Sequence, residues 1–343
     1  MKIEIKNNNN YSNKKISNFL KEAYKERCFE IYKVWNWLYK TDLNKETSLI
    51  AIKDQNIVAH AGLIPSFINL NGRRKKAGWF VDFIVDKNLQ KQGIGKLLTN
   101  EWLNIGYIGL TFCNHKSYRV FKKFGWVANY NFNLHYFLLR PLNHQRIYRK
   151  LRYLKFILDI LNKIYNSLFI IFIKMKIKDN DNIKIEKLSK FNISNFLSDS
   201  LTFNKVNTLR SYDYLKWRFL ESPEANKYIH ISYKNKYYAI VKKRTEKKFN
   251  NYLDLLIINK IDKHSDFIQF LLKIILWSSN NNLSYVKMII PNISISNYIK
   301  KNIFTIITKP RFAFFSNQEN EIEELKNSNF DFQLFDTDFE FTD

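Results

Sequence analysis

The sequence predicts a mixed α+β fold: a central, mostly antiparallel sheet flanked by helices, laid down twice along the chain. Three observations lead there. Trp79-Phe-Val-Asp-Phe-Ile-Val-Asp86 is an apolar, β-branched run, followed by a short loop holding Gly93 and Gly95 and then by a helical segment, Lys96 to Leu103. Short runs closed by turn residues precede it, as strands of a meander do. The order of segments then partly recurs, with Trp217 echoing Trp37 at an offset of 180.

The 343 residues suffice for two domains, and 45% hydrophobic with 16% aromatic content points to packed cores. Cys28 and Cys113 form no CxxC and have no histidine at ligand spacing, so neither a disulfide framework nor a metal site is expected. The start, Met1-Lys-Ile-Glu-Ile-Lys6 and four asparagines, lacks the apolar stretch of a signal peptide, and a cytoplasmic location is expected. The formal charge of +25 is patterned: residues 140–178 carry ten Arg or Lys against Asp159, and residues 317–343 carry nine acids against Lys326. Such a field attracts anionic substrates, a membrane surface or RNA, although a Lys-rich composition also produces a merely solvated basic face.

Taken in order, residues 14–40 have helical spacing. Trp35, Trp37 and Tyr39 there could stack on a sugar or nucleotide, or belong to a core. Ser48 to Lys53 and Ile57 to Ile64 read as strands joined by Asp54-Gln55-Asn56, and Asn71-Gly72 turns the chain towards Trp79. Gly106 to Phe112 supplies another strand, Asn114 an N-cap, and Phe132 to Leu139 a last strand before Pro141. Ile147, Leu151, Leu154, Leu158, Leu161, Tyr165, Leu168, Phe172 and Met175 then alternate steps of four and three, a helical stripe that packs on its own chain, dimerises or lies on an anionic membrane. Its longest uncharged run, Ile164 to Ile173, falls short of the ~20 residues that span a bilayer, so no transmembrane helix is expected.

Beyond it, Tyr214 to Trp217 echoes Val34 to Trp37, Ile229 to Tyr238 echoes Leu49 to Val58, and Asn251 to Ile257 echoes Trp79 to Val85. The loop that follows, Asn259 to Ser265, has no glycine. The expected organisation is a first domain over 1–142, a basic helical connector over 143–180, a degenerate second copy over 181–317 and an acidic, aromatic tail over 318–343. That tail alternates from Phe330 to Phe341 like an edge or surface-hugging strand.

Strand, glycine loop and helix together make a phosphate site, because a helix N-terminus offers unpaired N–H groups and partial positive charge. The spacing Gln90-x-x-Gly93-x-Gly95 directly after a Val-ended strand is neither a dinucleotide fingerprint nor a Walker loop. With Asn114, Ser117, Val120, Phe121, Lys123, Gly125 and Trp126 following in register, it resembles the GNAT (GCN5-related) N-acetyltransferases, in the tandem form with two lobes.

The resemblance implies acetyl-CoA as acyl donor and no metal. Phe83, Ile84 and Val85 would run along the pantetheine. The loop Gln90, Lys91, Gln92, Gly93, Ile94, Gly95, Lys96 would hold the pyrophosphate, completed by Asn114. Arg73 to Lys76 would meet the adenosine 3′-phosphate or form a solvated turn. Asp82 or His60 would take the acceptor's proton. Phe121 stands where many members carry the tyrosine that protonates the leaving thiolate, and Tyr118, one turn earlier, could replace it.

The function so implied is acetyl transfer to an amine or hydroxyl of a small acceptor, with a layout similar to acetyltransferases of bacterial surface-polysaccharide biosynthesis acting on an amino sugar. The competing readings are an aminoacyl-tRNA-dependent, peptidoglycan-branching type, against which the intact loop speaks, and a non-catalytic CoA-binding scaffold. A homodimer or peripheral contact with the inner membrane face through 144–178 is a further expectation. DNA is not expected as a partner.

Overall fold

Two sheets with one strand order form the molecule. In a computed structural model, all residues are described except 1–2, 9–10, 26–27, 41–47, 130–131, 144–151, 199–200, 202, 204, 247–249, 260–263, 291–292 and 338–343. Ile147 and Leu151 of the helical stripe, most of the glycine-free loop, and Phe339 and Phe341 lie outside the described residues.

The chain runs β1 (Glu4–Asn7), α1 (Asn13–Tyr24), α2 (Cys28–Tyr39), β2 (Leu49–Lys53), β3 (Asn56–Leu70), β4 (Arg73–Val85), α3 (Ile94–Asn104), β5 (Ile108–Cys113), α4 (His115–Lys122), β6 (Val127–Asn129) and β7 (Asn133–Leu138). It continues through α5 (Lys155–Lys176), β8 (Lys184–Lys187), β9 (Lys205–Thr208), β10 (Tyr228–Tyr233), β11 (Tyr237–Glu246), β12 (Asn250–Ile258), α6 (His264–Asn280), β13 (Tyr285–Ile290) and α7 (Ile293–Asn302). It ends with β14 (Ile306–Thr308), β15 (Arg311–Phe315), α8 (Glu319–Asn327) and β16 (Asn329–Phe330).

The main path of the nine-stranded first sheet is β1-β2-β3-β4-β5-β15-β6, with β9 pairing on β3 and β16 on β9 beside it, and the seven-stranded second sheet is ordered β8-β10-β11-β12-β13-β7-β14. These are the same arrangement with one exchange: β15 completes the first sheet and β7 the second. β15 pairs antiparallel with β5 (Phe312 opposite Phe112), and β7 with β13 (Leu134 opposite Ile289). Phe132 and Phe312, near the crossing points, lie 5.0 Å apart in one shared core. Each half therefore holds a strand of the other, and a cut near residue 142 would part β7 from its own half and leave the first sheet without β15.

Local chemistry explains the hairpins. Asp54 and Gln55 (φ 49° and 64°), Asn71 and Gly72 (49° and 80°), and Lys234 and Asn235 (54° and 50°) all take left-handed backbone, as tight antiparallel turns require. The halves meet at a pair of equivalent residues. Trp37 Nε1 donates to the Trp217 carbonyl (3.0 Å), Trp217 Nε1 donates to the Trp37 carbonyl (3.3 Å), and the rings lie 5.2 Å apart. A reciprocal contact between residues 180 apart marks a local two-fold axis.

Three expectations need correction. The inward stripe of α5 is Leu158, Asn162, Tyr165, Phe169 and Ile173, whereas Leu161, Leu168, Phe172 and Met175 face outwards. A helix apolar on nearly every side gives periodicity nothing with which to choose a face. By length and composition α5 is also long and apolar enough to cross a bilayer. The tail is not surface-hugging: Phe330, Phe332, Leu334 and Phe335 are core residues, and β16 pairs with β9.

Candidate active site

β4 and β5 run parallel and pair only from Ala77–Ile108 to Trp79–Leu110. Beyond that they diverge, and the Phe80 carbonyl takes the Thr111 hydroxyl (2.8 Å) in place of a ladder partner. The opening exposes one edge of β4. Asp86 N–H donates to the Val58 carbonyl (2.8 Å), so Val85, one residue earlier, turns its own N–H and C=O away from β3 and into the opening. The Val85 carbonyl accepts from Gln90 Nε2 (3.2 Å). Its N–H has no partner among the described residues.

At the same opening lies the N-terminus of α3. Gly93 takes φ 83°, which an L-residue resists, and nothing lies within 4 Å of where its Cβ would stand. Gly95 is needed for space, since a Cβ there would come 3.2 Å from Phe83 Cζ. α3 is anchored by Ile94, Leu98 and Trp102 in the core, and no side chain caps it, so its first-turn N–H groups are left for an anion. Lys91, Gln92 and Lys96 are exposed around this terminus. Phe83, Ile84 and Val85 are half-buried along the strand edge.

Asp82 sits in a β-bulge where Asp82 and Phe83 together face Ala61, and its φ is 44°. The surrounding structure holds this strained backbone in place. Tyr24 Oη and His60 Nδ1 both bond the Asp82 carbonyl (2.8 and 3.0 Å), and the Tyr39 hydroxyl donates to the Asp82 carboxylate. Trp35 and Tyr39 pack on His60 with ring centroids 4.5 and 4.9 Å away. The Tyr24 and Tyr39 contacts to Asp82 were not foreseen from the sequence; only Tyr39 had a signal, as part of an aromatic cluster.

His60 has a different part from the expected base. It is fully buried, and burial pushes its imidazole down to about 3, so it stays neutral and cannot reach an acceptor. It positions Asp82 through the carbonyl. Asn114 spends its side-chain oxygen on Ser117 N–H (2.9 Å) as the cap of α4. Phe121 is core, 5.3 Å from both Phe80 and Trp126. Tyr118 is half-buried beneath the guanidinium of Arg311, whose Cζ lies 5.2 Å from the ring centroid. Arg311 arrives on the exchanged strand β15 and carried no sequence signal.

Two further side chains bear on the chemistry. Cys113 ends β5 beside the opening, and burial holds its thiol up at about 11, so it is no ready thiolate. Arg73 to Lys76 do not approach the loop. They open β4 some twelve residues away, roughly 40 Å along a strand. There Arg73 pairs with Glu324, Lys75 with Glu321 (2.8 Å), and Arg74 covers Phe67, which corrects their expected contact with a phosphate. Among the described residues no cluster of His, Cys, Asp or Glu could hold a metal.

Residues 14–126 match the family model described as Acetyltransferase (GNAT) family. The structure is similar to a GCN5-related N-acetyltransferase from Anabaena variabilis (TM-score 0.57, 9% identity, 93% of this chain and 74% of that one). It is also similar to a GCN5-related N-acetyltransferase from Kribbella flavida (TM-score 0.55, 9% identity, 93% and 72%). A third likeness is to Saccharomyces cerevisiae N-myristoyltransferase with bound myristoyl-CoA (TM-score 0.55, 12% identity, 91% and 82%). No curated protein matches the chain. These likenesses give the fold: a mixed α+β GNAT architecture over nearly the whole chain.

Proposed function

We propose that the protein is an acyltransferase that takes an acetyl group from acetyl-CoA and passes it directly to an amine, or a hydroxyl, of a small acceptor. One observation carries the reading. The free edge of β4 at Val85 and the uncapped N-terminus of α3 open onto one space, offering backbone donors to an amide chain ending in a pyrophosphate. The GNAT family match over residues 14–126 and the myristoyl-CoA-bound neighbour agree with a CoA thioester as that ligand.

In this reading the acceptor nitrogen or oxygen attacks the thioester carbonyl, a C–N or C–O bond forms, the C–S bond breaks, and CoA leaves as thiolate. A backbone N–H of the β4 edge polarises the carbonyl. Asp82, clamped by Tyr24, His60 and Tyr39, takes the acceptor's proton. Tyr118, or water, returns a proton to the thiolate. Direct attack is favoured over a cysteine relay because the Cys113 thiol is held protonated. The net charge of +25 favours an anionic acceptor, and an amino sugar carried on a nucleotide or lipid phosphate, as in surface-polysaccharide assembly, suits it.

A thermal-shift titration with acetyl-CoA tests the donor. At about 100 times its dissociation constant the ligand adds ~2.7 kcal/mol of stability, a rise of several degrees. Gly93→Trp, which fills the open space at the loop, should lose that rise. CoA-thiol release with an amino-sugar phosphate as acceptor then tests the transfer. A folded wild type that neither shifts nor releases thiol would sink the proposal.

A further inference from the structure

We propose that α5 docks the protein on a membrane surface bearing anionic lipid headgroups, lying along the interface. This goes beyond the acyl-transfer reading and does not depend on it. One face of the helix is committed to the protein. Leu158, Phe169 and Ile173 are buried, and polar contacts pin the same side: Asn162 Oδ1 accepts from Leu142 N–H (3.0 Å), Tyr165 Oη donates to the Leu138 carbonyl (3.3 Å), and Asn166 Oδ1 accepts from Ser279 Oγ (2.5 Å).

The other face has no partner among the described residues and is almost wholly apolar. Phe156 and Met175 are 77% and 81% exposed, with Ile160, Ile164, Leu168 and Ile171 between them at 40–63%. That is a continuous stripe along the whole helix, the kind of contiguous exposed apolar surface that marks an interaction or membrane site.

Charge selects the occupant. Lys163 and Lys174 are exposed on the helix, and residues 140–178 hold ten basic side chains against one acid, Asp159, which interacts with Arg140. An apolar stripe with lysines beside it is the pattern of a helix seated in the headgroup region of an anionic leaflet. A second copy of the chain would set the same basic flank, residues 140–178, against its own like charge. A spanning arrangement is disfavoured although the helix is long and apolar enough, because its inner face is bonded to β7 and α6, which would have to follow it into the hydrocarbon.

The test is co-sedimentation of the full chain with phosphatidylcholine vesicles, with and without phosphatidylglycerol. Binding should require phosphatidylglycerol, fall with salt, and be lost in Ile164→Glu/Leu168→Glu, whose unfolding temperature should match wild type because both positions are exposed. Lys163→Glu/Lys174→Glu should weaken binding and flatten its salt dependence. Bound protein should be released by alkaline carbonate. The proposal is overturned if wild type stays in the supernatant, if Ile164→Glu/Leu168→Glu binds as well as wild type, if carbonate fails to release the protein, or if light scattering shows a lipid-free dimer that this variant dissociates.

Discussion

Val85 and Ile258 occupy the same point of the two sheets, and their surroundings differ in one decisive way. Both follow a one-residue bulge, after His60 in one sheet and Ile240 in the other. Both precede a residue whose N–H returns to the neighbouring strand: Asp86 to Val58 (2.8 Å) and Asn259 to Tyr238 (3.0 Å). In the first sheet the Val85 N–H has no partner among the described residues. In the second, Gln333 donates to the Ile258 carbonyl (3.0 Å) and accepts from its N–H (2.7 Å), so the tail fills the cleft with a side-chain amide. The bulges also align Asp82 with Leu255, Gly62 with Lys242, and Val81 with Asp254, one residue on from the echo read in the sequence. Lys242 is buried against Glu224 (2.6 Å). The scaffold is duplicated; the open edge and the clamped carboxylate belong to one copy.

The largest consequence lies in catalysis. Asp82→Asn should lower the turnover of CoA release by about 10²–10⁴-fold while leaving acetyl-CoA affinity near wild type, if Asp82 is the proton acceptor. Leu255→Asn, its counterpart, should change stability alone. Equal losses of turnover from both would erase the functional contrast between the sheets.

Next comes acid. Besides His230 of the second sheet, which burial also lowers, two buried histidines are kept neutral: His60 at about 3 in the first sheet and His135, on the exchanged β7, at about 4 in the second. Their folded pKa values lie below the unfolded value near 6.5, so the unfolded chain binds protons first. Their stabilising effect is complete above that value and fades as pH falls through 6.5 towards 4. At pH 5 each histidine should have lost on the order of 2 kcal/mol. Asp336, buried and raised to about 6, works in the opposite direction between pH 6 and 4 and offsets part of the loss. Chemical denaturation at pH 7 and pH 5 should show wild type losing more than His60→Gln, and parallel curves would remove His60 from the account.

Gln333→Ala measures the plug. It leaves the Ile258 N–H and C=O unsatisfied, which costs about 1–3 kcal/mol if water cannot enter. Acetyl-CoA binding should stay unchanged; new CoA affinity at the vacated edge would show that only the tail keeps the second cleft from serving as a site.

What was legible in the sequence was local. Gln90 to Lys96 and Asn114 to Trp126 each occupy one loop or helix, so their spacing maps straight onto geometry. Gly93 and Gly95 could be singled out because a left-handed φ and a close approach to Phe83 both demand glycine. Distant pairings left no trace. Neither Arg311 over Tyr118 nor Gln333 on Ile258 has a spacing to detect, because β15 and the tail return from the far end of the chain. His60 misled for a related reason: its intrinsic pKa suits a base, but burial and the carbonyl exposed by a bulge decide its state. The echo at 180 residues did carry long-range information, since it named the two tryptophans that meet.

That meeting yields the smallest effect and the most specific one. If Trp37 and Trp217 are related by a local two-fold, each supplies the other's carbonyl with an indole donor, and neither bond is structurally senior. Trp37→Phe and Trp217→Phe should then cost similar amounts, about 1 kcal/mol for one hydrogen bond with most of the ring kept. The double variant should cost less than their sum, because the tilted indole pair contributes about 0.5–1.5 kcal/mol only while both indoles are intact. Trp217 is the more buried of the two and lies beside Tyr214, so some asymmetry in the single variants is expected from packing. The coupling energy is the cleaner quantity, since packing terms private to one residue cancel from the cycle. A coupling near zero would mean that the tryptophan contact adds nothing to what the exchanged strands, the β3–β9 pairing and the shared core already hold together.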